Sequence, residues 1–222
     1  MASHLDLEEQ EQLDQLKAFW KRWGGLITWV ITAVLAAYAG WQGWNWYQRD
    51  QAAQAGAMYA EFDRALAAQD ADKAAAAAGD LKARFGGTGF AAQAGLQAAK
   101  LQLEKGKTDE AKQSLAWVAE HGSEASYRDL ARLRLAGLQL DSKAYDEAGK
   151  TLDAIKSKDF EALVADRRGD ALLLQGKRDE AKAQYQKSLA GLPKEQDYRR
   201  IVEAKLSTLG VPAAVETTGA AQ

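Results

Sequence analysis

The chain has 222 residues, a formal net charge of −2 at neutral pH, two histidines and no cysteine. This composition excludes a thiol nucleophile and does not favour a histidine-rich zinc site. The first 22 residues hold five acidic and three basic side chains, so the rest of the chain carries 26 of each sign and is formally neutral. Because nucleic-acid-binding domains usually show a basic patch or stripe, we do not expect a nucleic acid as a partner.

A long uncharged segment is the first element of the chain. It covers the 26 residues between Arg22 and Arg49, and six of the seven tryptophans lie in it or beside it. A transmembrane helix needs about 20 apolar residues, and aromatic side chains favour the headgroup level at its two ends. The pattern therefore predicts one transmembrane helix at 23–48, in contact with the lipid bilayer.

Two other interpretations of this segment fit less well. A cleaved signal peptide has a basic start and an apolar run of about 7 to 15 residues, whereas this run is longer and its leader is acidic. A buried helix of a soluble protein would place indoles on every face, with no second core to receive them.

The charges that flank the span predict its orientation. Lys17, Lys21 and Arg22 precede it, whereas Arg49 stands alone just after it. Positive residues favour the cytoplasmic side of a membrane. We therefore expect a short cytoplasmic segment at 1–22 and the rest of the chain outside the cytoplasm, and the lack of cysteine is compatible with an oxidising compartment there.

Small residues recur at a spacing of four within the span. Ala36 pairs in this way with Gly40, and Ala39 pairs with Gly43. Such a spacing allows a second helix to approach closely, so these four residues are candidates for packing against a helix of a membrane partner. The alternative is a plain lipid-facing anchor, because the spacing is common by chance in segments rich in alanine and glycine.

A phrase of nine residues occurs four times in the rest of the chain. Each copy has a Leu, a Gly or polar residue three positions later, an Asp after six and an Ala after eight. The copies run from Leu66 to Ala74, Leu103 to Ala111, Leu140 to Ala148 and Leu173 to Ala181. We interpret each as a turn between two helices, where the acidic residue complements the helix dipole and the alanine allows close packing. The period resembles that of the tetratricopeptide repeat, a helix-turn-helix unit.

Strand patterns do not compete with this interpretation. Good helix formers dominate the composition, and alternation with a period of two is absent. We therefore predict an all-α fold, in which a single N-terminal transmembrane helix is followed by a TPR-like helical-repeat solenoid at 49–209. Stacked hairpins of this kind bury a continuous core that one hairpin cannot form alone.

Helices are also expected at both ends of this domain. Residues 50–66 form the first helix and could continue from the span, and 195–209 form a closing helix. The segment that follows, 210–222, is small and nearly uncharged, so we predict a disordered tail. The closing helix is expected to turn three apolar residues inward, namely Ile201, Val202 and Leu206.

The sequence offers little catalytic chemistry. Gly87-x-Gly89-x-x-Ala92 matches the letters of a dinucleotide-binding loop, but such a loop needs a preceding strand, and a helical run precedes this one. We interpret it as a loop between repeats. No set of acid, base, nucleophile or metal ligands is recognisable, so we predict no catalytic residue, no cofactor, no metal and no enzymatic activity.

A candidate protein-binding face lies in the last repeat. If the unit is TPR-like, its first helix lines the surface that such solenoids use for partners. Helical spacing places Leu163, Asp166 and Asp170 together on that helix. The alternative is a solvated face with ordinary charges.

Two stretches of the chain carry a family resemblance. The first is Glu9-Gln10-x-x-x-Leu13-x-x-Leu16-Lys17-x-Phe19-Trp20, at the entry to the span. The second is Thr151-Leu152-Asp153-x-Ile155-Lys156, followed by Val164-Ala165-Asp166-x-Arg168-Gly169-Asp170-Ala171-Leu172. On these stretches the chain resembles the YfgM-type ancillary subunits of the bacterial SecYEG translocon, over nearly its full length.

The resemblance implies a single-pass type II protein of the bacterial inner membrane, with its C-terminal domain in the periplasm. It also implies proximity to the SecYEG translocon and to a membrane-anchored periplasmic chaperone of the prolyl isomerase type, and it brings no catalytic motif. The leading hypothesis is a protein-binding scaffold or chaperone-like subunit that passes unfolded secreted proteins to periplasmic chaperones. The alternative is a regulator of an envelope stress-response pathway that acts through protein-protein interaction.

Overall fold

The computed structural model describes residues 7–193 and 196–211, with side chains from residue 11 onward. Every regular element in these ranges is a helix, which confirms the predicted all-α, TPR-like fold. The elements in chain order are α1 Leu7–Ala67, α2 Ala71–Phe85, α3 Gly89–Glu104, α4 Thr108–His121, α5 Ala125–Asp141, α6 Tyr145–Asp153, a short 3-10 helix Lys158–Phe160, α7 Glu161–Leu174, α8 Arg178–Gly191 and α9 Tyr198–Thr208.

The chain divides into two compact units, Met1–Gln51 and Ala52–Gln222. Helix α1 has no break at the boundary, so the helix expected at 50–66 does continue from the predicted span. Within the first unit the large side chains of α1 are exposed, among them Trp29, Trp41 and Trp46. In the described part of the chain, α1 is the one helix long and apolar enough to cross a membrane.

Polar groups within the apolar part of α1 find partners inside the helix. The Thr28 hydroxyl donates to the carbonyl oxygen of Gly24, and the Thr32 hydroxyl donates to that of Thr28, both at 2.8 Å. A bilayer offers no water to satisfy such groups, so internal hydrogen bonds are what a membrane span requires.

In its described residues the second unit contains four helical hairpins and a closing helix. The hairpins are the end of α1 with α2, α3 with α4, α5 with α6, and α7 with α8, and α9 follows them. Their four turns share one conformation, because Gln69, Gly106, Lys143 and Gly176 all have φ between 56° and 78°. These residues occupy the predicted turn position of the four phrases, which confirms the repeat.

Each of these turns ends its helix with a Schellman motif. The N–H that follows the turn residue donates to the carbonyl five positions earlier, which satisfies a free carbonyl at the helix end. In the third hairpin, for example, Ala144 N–H donates to Gln139 O at 2.8 Å. The phrase alanines are all fully buried, as close packing of the second helix demands: Ala74, Ala111, Ala148 and Ala181.

Close helix contacts also depend on two glycines. A Cβ built on Gly169 would lie 2.5 Å from Cε1 of Tyr185, and one on Gly95 would lie 2.5 Å from Cγ2 of Val118. Both distances are far inside van der Waals contact, so α7 packs on α8 and α3 on α4 only without these side chains. Gly169 is therefore the residue that allows the close contact between α7 and the Tyr185 ring of α8.

The C-terminal end of the domain differs from expectation in two details. Ile201 is 50% exposed, so its predicted inward orientation is wrong, whereas Val202 and Leu206 are buried as predicted. The buried stripe of α9 follows Val202 and Leu206 at a spacing of four, and Ile201 is turned about 100° away from it.

The predicted disordered tail begins too early. Gly210 has a φ of 79° and Val211 packs against the last core cluster, where its N–H donates to Leu206 O at 3.1 Å. These two residues therefore complete the end of α9. The rest of the predicted tail, 212–222, lies outside the described residues, as does Glu195 of the predicted closing helix.

Candidate functional site

The structure places the predicted binding face of α7 mostly inside the domain. Asp166 is 0% exposed, and the Asp170 side chain is 21% exposed. Leu163 is half-buried between the last two core clusters. The prediction of an exposed face through Asp166 is therefore wrong, because α9 packs over the carboxylates.

The two carboxylates are instead the centre of a charge network in which Asp166 is buried and the other charged groups are partly buried. Asp166 accepts hydrogen bonds from Lys205 Nζ at 2.8 and 2.9 Å and from the Tyr198 hydroxyl at 2.7 Å. Asp170 accepts from Lys205 Nζ at 2.7 Å and from the Tyr185 hydroxyl at 2.8 Å. A buried carboxylate is tolerated only with such partners, so this network ties α9 to α7 and α8.

Arginine 167 completes the network on its other side. Arg167 Nη1 donates to Asp170 Oδ2 at 2.9 Å and lies 3.8 Å from Asp166 Oδ2. With Lys205 it brings two positive charges against two negative ones, so the network is formally neutral. Charge balance of this kind offsets much of the cost of removing the four groups from water.

The two tyrosines of the network act as fixed hydrogen-bond donors. Burial, followed by the hydrogen bond to Asp170, raises the pKa of Tyr185 well above its usual value. Burial and the hydrogen bond to Asp166 raise the pKa of Tyr198 in the same way. Both phenols therefore keep their protons, and a neutral hydroxyl is what a carboxylate acceptor requires.

Sequence reasoning grouped these acids correctly but could not supply their partners. Asp166 and Asp170 do share one side of α7, since both bind the same lysine. The signal for the network lay in the closing helix, where Tyr198 and Lys205 fall on the same side as the buried Val202. A tyrosine and a lysine within an apolar stripe indicate a buried polar partner elsewhere.

An open groove lies nearby on the first helices of the hairpins. It has a volume of about 320 Å³ and is lined by residues of α3, α4, α5 and α7. We call it the first-helix groove. Its apolar lining includes Leu96, Leu103, Leu115 and Leu138, and its charged lining residues are Lys100, Arg134, Asp141 and Arg167.

Two arginines occupy the same repeat position in this groove. Arg134 of α5 and Arg167 of α7 are 33 residues apart, as are the turn residues Lys143 and Gly176 of the same hairpins. A Cβ on Gly137 would lie 3.9 Å from Arg167 Nε, so the Arg167 side chain passes over α5 where that helix has no side chain. Sequence reasoning missed the groove, although the shared spacing of the arginines was a signal for it.

The described residues that line the groove are aliphatic or charged, apart from Gly137. Across the described residues, no group of three or more His, Cys, Asp or Glu side chains could hold a metal ion. The Gly87 loop joins α2 to α3, two helices, which agrees with its interpretation as a loop between repeats.

The candidate packing residues of the span remain a prediction. Ala36, Ala39, Gly40 and Gly43 are all exposed on α1. A Cβ on Gly40 or Gly43 would meet no atom within 4 Å. The face is therefore open for a partner helix or for lipid.

Comparison with known proteins agrees with the repeat architecture. Residues 17–211 match the family described as a tetratricopeptide repeat-like domain. The chain is 32% identical over 213 residues to the ancillary SecYEG translocon subunit of Neisseria gonorrhoeae, which covers 94% of this chain and 100% of that relative. The protein of that name from Escherichia coli is 30% identical over 183 residues, 80% of this chain and 85% of its own.

A third relative, the ancillary SecYEG translocon subunit of Haemophilus influenzae, is 27% identical over 184 residues, which are 82% of this chain and 89% of that relative.

The stacked hairpins, the groove and the matched residues define a tetratricopeptide repeat-like protein. The chain belongs to the family of ancillary SecYEG translocon subunits, which confirms the resemblance seen in its sequence. The apolar α1 and these relatives fit an inner-membrane protein, and the scaffold points to a non-catalytic one.

Proposed function

We propose that this protein is a membrane-anchored, protein-binding subunit of the Sec translocon that helps to transfer secreted proteins to periplasmic chaperones. The observation that carries the proposal is the first-helix groove, an open and partly apolar surface on a repeat domain. The first helix of that domain is the end of α1, a helix long and apolar enough to cross a membrane. The names of the relatives support the translocon as the place of action. The domain needs no energy source for this role.

The proposal includes an orientation, with residues 1–22 in the cytoplasm and the repeat domain in the periplasm. The excess of basic residues before the span supports it. Because the chain has no cysteine, Asp14→Cys and Glu120→Cys each introduce a single exposed thiol. A membrane-impermeant maleimide applied to intact spheroplasts should label only Glu120→Cys, and labelling of Asp14→Cys alone would reverse the orientation.

The proposed partners are the SecYEG translocon, a membrane-anchored chaperone of the prolyl isomerase type, and unfolded secreted polypeptides. We assign the small-residue face of the span to a helix of a membrane partner. A photocrosslinking residue at Ala36 should then capture a membrane subunit, whereas one at Val34, on the opposite side of α1, should capture lipid. Equal capture from both positions would make the span a plain anchor.

The groove is tested in the same way during secretion. A photocrosslinking residue at Leu103, in the groove, should capture secreted chains in transit, and one at the exposed Gln113 of α4 should not. Capture of secreted chains and translocon subunits supports the proposal. Capture restricted to a signalling component would favour the regulatory alternative instead.

A further inference from the structure

The first-helix groove holds one guanidinium group without a counter-charge. Arg134 is exposed and has no hydrogen bond or ion pair with any described residue. The other cations of the groove are matched, since Lys100 lies 3.8 Å from Glu104 and Arg167 binds Asp170. Arg134 is therefore the cation of the groove that is free to bind an anion.

The chemistry of Arg134 determines which anion fits the groove. Carboxylate oxygens are the acceptors that guanidinium groups bind best. Arg167, the other arginine of the lining, has its Nη1 occupied by Asp170 and its Nε buried. Arg134 is therefore the guanidinium group that a bound segment can reach.

The apolar part of the groove has an uncovered leucine. Leu103 and Leu140 occupy the same position of the repeated phrase, yet Leu103 is 44% exposed and Leu140 only 4%. Leu103 shares the groove with the nearly buried Leu96 and Leu138. The groove thus combines an aliphatic contact with a free guanidinium group.

We propose that the first-helix groove selects extended segments in which an acidic residue adjoins aliphatic residues. The carboxylate binds Arg134, and the aliphatic side chain covers Leu103. The occupant is a segment of an unfolded secreted polypeptide, so this inference rests on the proposed function and names its substrate class. The assignment follows from charge complementarity at Arg134, the cation of the described groove lining that no described carboxylate pairs.

Peptide binding to the full-length protein in detergent micelles tests this selectivity. The probes are three fluorescein-labelled nine-residue peptides with a central Leu-Glu-Leu, Leu-Gln-Leu or Leu-Lys-Leu and flanking Gly and Ser. Fluorescence anisotropy should show that the Glu peptide binds about five-fold more tightly than the Gln peptide, with the Lys peptide weakest. This preference should decrease as salt is raised, because exposed charges are screened.

Variants separate Arg134 from general electrostatics. Arg134→Gln should abolish the preference, and Arg134→Glu should invert it in favour of the Lys peptide. Arg200→Gln is the matched control, because Arg200 is an exposed arginine on α9, and it should leave the preference unchanged. The side chain of Arg134 has no hydrogen bond or ion pair with a described residue to lose, and circular dichroism verifies that each variant stays folded.

The inference is overturned if the wild type binds the Glu and Lys peptides equally, if it binds none of them at millimolar concentration, or if the preference survives Arg134→Gln. Photocrosslinking from Leu103 in cells keeps this outcome separate from the proposed function. Capture of secreted chains without any peptide preference would refute the selectivity and leave the function standing. A clear peptide preference without capture of secreted chains would support the selectivity and count against the proposed function.

Discussion

The buried charge network predicts a large and specific loss of stability when its lysine is removed. Lys205→Met keeps the aliphatic stem but leaves Asp166, which is 0% exposed, without its closest cation. Removing one partner of a buried ion pair costs about 3–5 kcal/mol. Asp166 retains the Tyr198 hydroxyl at 2.7 Å and Arg167 at 3.8 Å, so we expect the lower end, about 3 kcal/mol.

Thermal unfolding followed by circular dichroism at neutral pH measures this loss. For a domain of this size each kcal/mol lowers the melting temperature by about 2–4 °C, so a decrease of roughly 6–12 °C is expected. Hydrogen exchange should show the first loss of protection in α9, because the lysine ties that helix to α7. Lys187→Met is the matched control: its ion pair with Glu161 is more than half exposed on both sides, and no resolvable loss is expected.

A double variant shows whether the unpaired carboxylate of Asp166 causes the loss of stability in Lys205→Met. Asp166→Asn with Lys205→Met removes both charges and keeps an acceptor for Tyr198. If the cost comes from a buried unpaired charge, the double variant should be at least about 1 kcal/mol more stable than Lys205→Met alone. A loss equal to the sum of the two single variants would refute this reasoning, as would a loss below about 1 kcal/mol for Lys205→Met.

Three further predictions concern single positions. Lys143→Gly should stabilise the domain by about 0.5–1 kcal/mol, because Lys143 has a φ of 61°, which favours glycine. Urea denaturation measures this gain in stability, and a destabilised variant would contradict the prediction. Gly169→Ala should cost about 1–3 kcal/mol in the same assay, because its Cβ would lie 2.5 Å from the Tyr185 ring, and wild-type stability would disprove that close contact. Tyr198→Phe should cost about 1.5–3 kcal/mol at neutral pH through the lost bond to Asp166. The pKa of Tyr198 is raised in the folded protein, so the unfolded chain loses this proton first as the pH rises above 10. Wild-type stability should therefore fall above pH 10, and the fall should be smaller in Tyr198→Phe. Identical alkaline profiles for wild type and variant would exclude that role.

Local features of the fold could be predicted from the sequence because their causes are local. A turn residue with positive φ, an acidic first turn and a small residue at the helix contact all lie within nine residues of one another. That is why the phrase identified all four turns, even where Gln69 or Lys143 replaces glycine. The long apolar helix α1 could also be predicted, since its length and its lack of charge are properties of a single segment.

The site was harder to predict because its partners are distant in the chain. Asp166 and Lys205 are separated by 39 residues, and helical periodicity can state that two acids share a face but not which helix covers it. Periodicity also failed to predict the exposure of Ile201. This residue is apolar, yet it lies outside the buried stripe of α9 that packs against α7 and α8. Only the pairing of Tyr198 and Lys205 within that stripe indicated buried acids.

The closing helix α9 is attached to α7 by charged side chains as well as by apolar contacts, and its place at the end of the repeats gives a reason. Each internal hairpin is held on both sides by neighbours of the same kind, whereas the last hairpin needs a cap with a polar outer face. An apolar contact alone is not directional and would allow α9 to slide along α7. Lys205 reaches both Asp166 and Asp170, at 2.8 and 2.7 Å, so these bonds favour the observed position of α9 along α7. Asp170 binds both Lys205 of the closing helix and Arg167, which lines the first-helix groove. The carboxylate that holds α9 in place therefore also holds Arg167 in its position at the groove.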